Sequence, residues 1–150
     1  MPMYNHLLIP SDGTELAEKA VTAGIEFART VGARVTAFTA VPQYQLPTPG
    51  QVMSHKRVLS LQEHEDHVRR DAEAILARIA RQAAAAGVEC QSDYALCDRP
   101  HEAIIDAANR NGCDLIFMAS HARSGLSALI HGSETRGVLT GSTIPTLVYR

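Results

Sequence analysis

Short apolar runs alternate along this chain with longer stretches in which apolar residues recur at helical spacing. The run at residues 6–10 ends at a proline and leads into a turn-rich segment, which is typical of a buried strand entering a loop. The run at 115–119 is apolar throughout, as in a central strand covered on both faces. Strands alternating with helices predict right-handed crossovers and one open, doubly wound parallel sheet, an α/β fold with helices on both faces. The other predicted elements are strands at 34–41, 88–96 and 146–149 and helices at about 15–31, 63–86, 100–110 and from 132 onward.

The composition describes one self-sufficient domain, residues 1–150, and argues against several classes of function. With 150 residues, 45% of them hydrophobic, the chain can build a core without disulfides or a structural metal. The net charge of −2 and the pI near 6.4 argue against binding to nucleic acid or to an anionic membrane surface. No apolar run approaches the ~20 residues needed to cross a bilayer, and no secretory signal is visible, so we expect a cytoplasmic protein. The three cysteines lack C-x-x-C spacing and are expected to stay reduced.

Two polar segments are predicted to follow strands at the edge where open α/β sheets bind ligands. After the first strand come Ser11 and Asp12, and the Asp12 carboxylate could accept hydrogen bonds from ribose hydroxyls or an adenine amine. The alternative is that Asp12 only satisfies the amides of its own turn. After the fourth strand, Gly132 and Ser133 are predicted to start a helix, whose free N–H groups, together with the Ser133 hydroxyl, could hold an anion such as a phosphate. The alternative there is an ordinary serine cap.

Four segments, which include the residues discussed above, are informative when they are taken together in their order and spacing. They are His6-Leu7-Leu8-Ile9-Pro10-Ser11-Asp12-Gly13, Cys113-Asp114-Leu115-Ile116-Phe117-Met118-Ala119-Ser120-His121, Gly132-Ser133-Glu134-Thr135 and Ile144-Pro145-Thr146-Leu147-Val148-Tyr149. With these segments the chain resembles the universal stress protein family over nearly its whole length. The resemblance implies a five-stranded parallel sheet in the order 3-2-1-4-5 and a homodimer formed through the last strand. In one branch of the family it also implies an ATP site, with Mg²⁺ only as a companion of the nucleotide.

The ATP-binding branch carries a loop pattern of glycine, two residues, glycine, nine residues, then glycine followed by serine or threonine. The matching positions here are Ala119, Ala122, Gly132 and Ser133, so both leading glycines are alanine. Position 122 lies in a turn that would face the phosphates. If the nucleotide-bound turn needs a conformation that favours glycine, the methyl group of Ala122 would cost about 1–3 kcal/mol of binding free energy, or roughly one to two decades in affinity. We therefore expect nucleotide binding to be weakened rather than abolished. By the same resemblance, the nucleotide-binding residues would be Pro10, Ser11, Asp12, Val41, Met118, Ala119, His121, Ala122, Arg123, Gly132, Ser133 and Glu134.

Known catalytic motifs are not found in the sequence: it has no G-x-x-x-x-G-K-[ST], no G-x-G-x-x-G and no G-x-S-x-G. The run His64-Glu65-Asp66-His67, with Asp71 one turn on, carries metal-binding residue types without the spacing of a zinc site, so no metal site is predicted. The leading interpretation is a non-enzymatic, dimeric stress-response or regulatory module with a degenerate ATP site. The alternatives are a nucleotide-free protein-interaction scaffold and a weak ATP-hydrolysing enzyme.

Overall fold

A computed structural model describes residues 2–43, 48–50, 60–120 and 128–150, with the backbone alone for 128–133. Strands and helices alternate along these residues, as the sequence predicts, and most boundaries agree closely. The elements are β1 (His6–Pro10), α1 (Glu15–Val31), β2 (Arg34–Pro42), α2 (Leu61–Ala85), β3 (Cys90–Cys97), α3 (Pro100–Arg110), β4 (Leu115–Ala119), α4 (Ala128–Gly141) and β5 (Thr146–Tyr149).

The strands form one parallel sheet in the order β3-β2-β1-β4-β5. β1 lies at its centre, paired with β2 along its whole length and with β4 at Leu7 and Leu8. The order reverses between β1 and β4, because β2 and β3 are added on one side of β1 while β4 and β5 are added on the other. The predicted fold class and strand order are thereby confirmed.

Helices cover both faces of this sheet, and each face has its own apolar layer. One layer packs α1 and α2 on the sheet through residues such as Ile25 and Leu76, together with Phe117 of β4. The other packs α3 and α4 through Ile104 and Val138. Every residue of β4 is buried, as its continuous apolar sequence predicts for a strand covered on both faces. No helix within the described ranges is long and apolar enough to cross a membrane.

Capping residues determine where α1 and α2 begin. The Thr14 hydroxyl accepts a hydrogen bond from the N–H of Ala17 at 3.3 Å, which satisfies a free donor of the first turn of α1. Ser60 and Glu63 form a capping box at the start of α2, with backbone-to-side-chain distances of 3.0 and 3.1 Å. Because of this box, α2 begins slightly earlier than apolar periodicity alone predicts.

The start of α4 differs from the prediction. The helix begins at Ala128, whereas the sequence predicts a start at Gly132 and Ser133. These two residues therefore lie in the second turn, where N–H groups bond to carbonyl groups of the preceding turn. The prediction that these residues open the helix is therefore wrong. Their N–H groups are not free to bind a phosphate, and Ser133 is not the residue that caps the helix.

Candidate functional site

The carboxyl ends of β1 and β4 lie side by side where the strand order reverses. Ser11 directly follows β1, and its N–H donates to the carbonyl of Phe38 on β2 at 2.9 Å. Ser120 directly follows β4, and its N–H donates to the carbonyl of Tyr149 on β5 at 2.7 Å. Each segment is thus tied to the strand on its outer side. Because α1 and α4 cover opposite faces of the sheet, a crevice is expected between the two segments, which is where such folds bind ligands.

Asp12 lies in the turn after β1, where its exposed side chain is engaged with the start of α1. Its Oδ1 accepts from the N–H of Thr14 at 3.0 Å and from the Thr14 hydroxyl at 2.6 Å. That hydroxyl caps α1, so the carboxylate orients the cap and also lies at the positive end of the helix dipole. The Asp12 carboxylate therefore accepts hydrogen bonds from its own turn, as the alternative interpretation predicts. A carboxylate can accept several hydrogen bonds at once, so this role is compatible with a ligand contact.

Gly13 is the residue of this turn at which the lack of a side chain matters. Its φ is 79°, and a Cβ there would lie 3.2 Å from Cδ1 of Ile75 on α2. Its N–H donates to Oγ of Ser11 at 3.1 Å, and Ser11 is itself buried. α2 thus packs directly over the turn that carries the polar residues of the crevice.

Gly13→Ala should destabilise the protein by about 2–3 kcal/mol, because left-handed strain and the contact with Ile75 add together. Gly32 provides a matched control, since its φ is 74° but no atom lies within 4 Å of the added Cβ. Gly32→Ala should therefore cost only about 1 kcal/mol. Urea unfolding measures both losses, and Ile75→Val, which removes Cδ1, should recover part of the Gly13→Ala loss. Equal losses for the two glycine variants would contradict the close packing of α2 on this turn.

Four other predicted ligand residues lie on the strands at this edge. Met118 and Ala119 end β4, Val41 lies near the end of β2, and Pro10 closes β1. The side chains of Val41, Met118 and Ala119 are buried, and that of Met118 belongs to the layer with α3 and α4. What these residues offer a ligand is therefore mainly their backbone groups and apolar contact at the strand ends.

The predicted phosphate-binding residues are divided between α4 and a segment that the structure does not describe. His121, Ala122 and Arg123 lie outside the described residues. Gly132 and Ser133 lie inside α4, as noted above. What the structure brings together is therefore the turn after β1 and the end of β4.

Glu134, predicted as a nucleotide contact, binds the start of α3. Its Oε2 accepts from the backbone N–H of His101 at 2.7 Å and lies 3.2 Å from the ring Nδ1. α3 needs such an acceptor because Arg99 precedes it without a side-chain cap. The His101 ring lies on Gly137, where an added Cβ would come within 2.5 Å of Cγ of the ring. We name Glu134, His101 and Gly137 the α3–α4 clamp, which sequence reasoning missed because its partners are far apart along the chain.

Within the described ranges, no three His, Cys, Asp or Glu side chains are placed to hold a metal ion. On α2, Asp66 pairs with Arg69 at 3.1 Å, and His67 pairs with Asp71 at 3.3 Å, as on a solvated helix face.

Cys97, at the end of β3, is a free thiol whose pKa is raised by burial, so it is neutral and a poor nucleophile at pH 7. The polar group that the described part of this edge offers a ligand is the exposed carboxylate of Asp12, a hydrogen-bond acceptor.

The chain is similar to known proteins along its length. The sequence model of the universal stress protein family matches residues 3–150. A curated Thermus aquaticus protein, "universal stress protein in QAH/OAS sulfhydrylase 3'region", is 30% identical over 151 residues, which cover 99% of this chain and 100% of the relative. Universal stress protein YxiE of Bacillus subtilis is 28% identical over 153 residues, which cover 99% of this chain and 100% of that protein.

Solved structures share the fold. A universal stress protein in complex with cAMP aligns with a TM-score of 0.72 at 19% identity, covering 98% of this chain and 97% of that one. The Archaeoglobus fulgidus protein in complex with dAMP has a TM-score of 0.65 at 16% identity and covers 100% of both chains. An Arabidopsis thaliana family protein with AMP bound has a TM-score of 0.64 at 11% identity, covering 96% of this chain and 90% of that one. With the fold, the family match over residues 3–150 and a 30% identical relative all in agreement, this chain belongs to the universal stress protein family.

Proposed function

We propose that this chain is a cytoplasmic, non-enzymatic stress-response or regulatory module that binds an adenine nucleotide, ATP included, between the ends of β1 and β4. The observation that carries the proposal is Asp12, a carboxylate oriented by Thr14 at the point where the strand order reverses. Because Thr14 already restricts this side chain, it can accept from ribose hydroxyls or the adenine amine with little further loss of entropy. The complexes of structural relatives with cAMP, dAMP and AMP support this class of ligand.

The other contacts are those that the resemblance to the universal stress protein family implies. Val41 would meet the adenine edge through its backbone, Met118 would supply apolar contact with the base, and Arg123 would bind a phosphate. In α4 the described N–H groups without a partner inside the helix are those of residues 128–130, so these rather than the second turn would face a phosphate. Mg²⁺ would enter only with the nucleotide. Alanine at positions 119 and 122 would lower the affinity.

Calorimetric titration tests the proposed ligand. ATP, AMP and cAMP are titrated into the purified full chain, with GTP as the control that lacks the adenine amine. We expect the adenine nucleotides to bind more tightly than GTP, and Ala122→Gly to raise their affinity about 10–100-fold. If no adenine nucleotide binds either protein at millimolar concentration, the nucleotide-free scaffold becomes the better proposal.

The non-enzymatic part of the proposal has its own test. The protein is incubated with Mg-ATP, and the nucleotide is then analysed by chromatography. We expect ATP to be recovered unchanged, because the sequence lacks the motifs of hydrolases and nucleotidyl transferases. Sustained turnover that copurifies with the folded protein would favour the ATP-hydrolysing alternative.

We further propose a homodimer formed through β5. Within the described sheet β5 is an edge strand, and all four of its residues are partly exposed. The carbonyl of Pro145 accepts from the N–H of Ile116 on β4 at 2.9 Å, and that of Tyr149 from the N–H of Ser120, just after β4, at 2.7 Å. Since alternate residues of a strand face the same neighbour, Thr146 and Val148 direct their N–H and C=O groups outward. These are the groups that a second copy could pair with across a two-fold axis.

Val148→Pro should give a monomer, because it removes an outward N–H while leaving the bonds to β4 in place. Light scattering should give the wild type twice the chain mass of 16.2 kDa and the variant that mass once. Val148→Thr, which keeps the N–H and the β-branched shape, should stay dimeric. A monomeric wild type or a dimeric Val148→Pro would contradict the proposed interface.

A further inference from the structure

His6 is a buried histidine at the amino ends of the strands, the opposite end of the sheet from the proposed nucleotide-binding crevice. It is the first residue of β1 and is only 2% exposed. Its backbone N–H donates to Oδ1 of Asp114 at 3.0 Å, and its carbonyl accepts from the N–H of Asp114 at 2.9 Å. The residue that carries this ring therefore also ties the start of β1 to the start of β4.

The two ring nitrogens of His6 are unequally satisfied. Nε2 lies 2.7 Å from Oγ1 of Thr36, a fully buried residue of β2. The same oxygen accepts from Nε2 of Gln91 on β3 at 2.9 Å, so a chain of hydrogen bonds crosses three strands. Nδ1 is buried and has no hydrogen-bond partner among the described residues. A neutral ring with its proton on Nε2 suits this environment, whereas an imidazolium would add a buried N–H at Nδ1 without an acceptor.

The charged groups around His6 do not compensate a positive ring. Burial is the main cause that lowers the pKa of His6 below its ordinary value of 6.5, and Arg34 on β2 acts in the same direction. Asp114 before β4 and Glu89 before β3 act in the opposite direction and are outweighed. The folded protein therefore resists protonation of this ring more than an open chain does.

The side of the ring toward α3 offers no compensating charge either. The Cys113 thiol, hydrogen-bonded to Thr36, has its pKa raised to about 11 by burial, so it stays uncharged. An uncharged thiol cannot neutralise an imidazolium at His6.

We propose that His6 is an acid-sensitive switch, in which proton uptake by the buried imidazole loosens the amino edge of the sheet where β1 joins β2 and β4. Above the ordinary pKa of 6.5 the ring is neutral in both closed and open states and contributes no pH dependence. Below it the open state binds the proton more readily, so falling pH favours opening. The carboxylates of Asp93 and Asp114, with ordinary pKa values of 3.8 and lower values here, titrate below this range. The switch does not depend on nucleotide binding.

Hydrogen exchange of the full chain at pH 7.5 and 5.5, corrected for the intrinsic pH dependence of exchange, measures the opening. For the backbone near residues 5–9, 34–37 and 113–116, the opening constant should rise by up to about tenfold, the limit for a group whose ordinary pKa is 6.5. His6→Gln should abolish this rise. His67→Gln, at an exposed histidine of α2, is the matched control and should retain it.

Nuclear magnetic resonance of the wild-type ring tests the same proposal without any variant. We expect the His6 signals to show a neutral ring protonated at Nε2 above pH 7 and a pKa below 6.5. A ring that titrates at or above 6.5 would overturn the proposal, and so would a His6→Gln variant that opens with the same pH response as the wild type.

Discussion

Gly137→Ala is expected to destabilise the protein by about 2–4 kcal/mol, even though alanine is the better helix former. The added Cβ would lie 2.5 Å from Cγ and 2.8 Å from Cβ of His101. These atoms are close to the backbone of α3 and cannot swing aside, so His101 must leave its place. With it go the 2.7 Å bond from its N–H to Glu134 and the contact of the ring with the same carboxylate. Urea unfolding at constant pH measures the loss.

Gly141 provides a matched control on the same helix. A Cβ there would meet Cδ1 of Ile105 at 3.0 Å, the far end of a flexible side chain. Gly141→Ala should therefore change the free energy of unfolding by no more than about 0.5 kcal/mol. His101→Ala removes the ring atoms that the added Cβ would meet at 2.5 and 2.6 Å but keeps Cβ at 2.8 Å. Gly137→Ala should therefore cost less in that background than in the wild type, but should still destabilise the protein. A Gly137→Ala variant as stable as the wild type would contradict the α3–α4 clamp.

Local patterns account for the parts of the fold that the sequence predicts well. The apolar run of β4 and the cap residue Thr14 are each recognisable from a few neighbouring residues. The start of α4 is not, because a serine precedes helix-compatible residues at both Ser127 and Ser133. Local signals cannot choose between two such starts, and tertiary packing can override either. The strand order also has no local signal, since any order of parallel strands satisfies the same periodicity, and it was predicted only through the family resemblance.

Contacts between residues distant in sequence account for what was missed in and around the candidate site. Glu134 lies 33 positions from His101, and only Gly137, three residues further on, hints that this face of α4 is closely packed. His6 looks like the ordinary first residue of a strand. Its ring becomes notable only when β2 places the buried hydroxyl of Thr36 beside it. Asp12 was predicted because its signal, an acidic residue in a turn after a buried strand, is local.

Asp12→Ala is expected to lower the affinity of the proposed site for ATP about 10–100-fold, because a lost hydrogen bond to a charged group costs about 1.5–3 kcal/mol. The same change removes the acceptor for the N–H and hydroxyl of Thr14. It should therefore also cost about 1 kcal/mol of stability at the start of α1. Calorimetry measures the affinity and urea unfolding the stability. The two effects must be separated, because a loosened turn would itself weaken binding.

Thr14→Val makes that separation. Valine has nearly the shape of threonine without its hydroxyl, so the variant loses the 2.6 Å bond to Asp12 and the cap on Ala17 while the carboxylate remains. We expect a similar stability loss of about 1 kcal/mol, with an affinity for ATP within about threefold of the wild type. If both variants lose the same affinity, Asp12 acts only through its turn, and other groups of the crevice must bind the nucleotide. Because both proteins are compared where each is fully folded, any difference in affinity reports on the carboxylate itself.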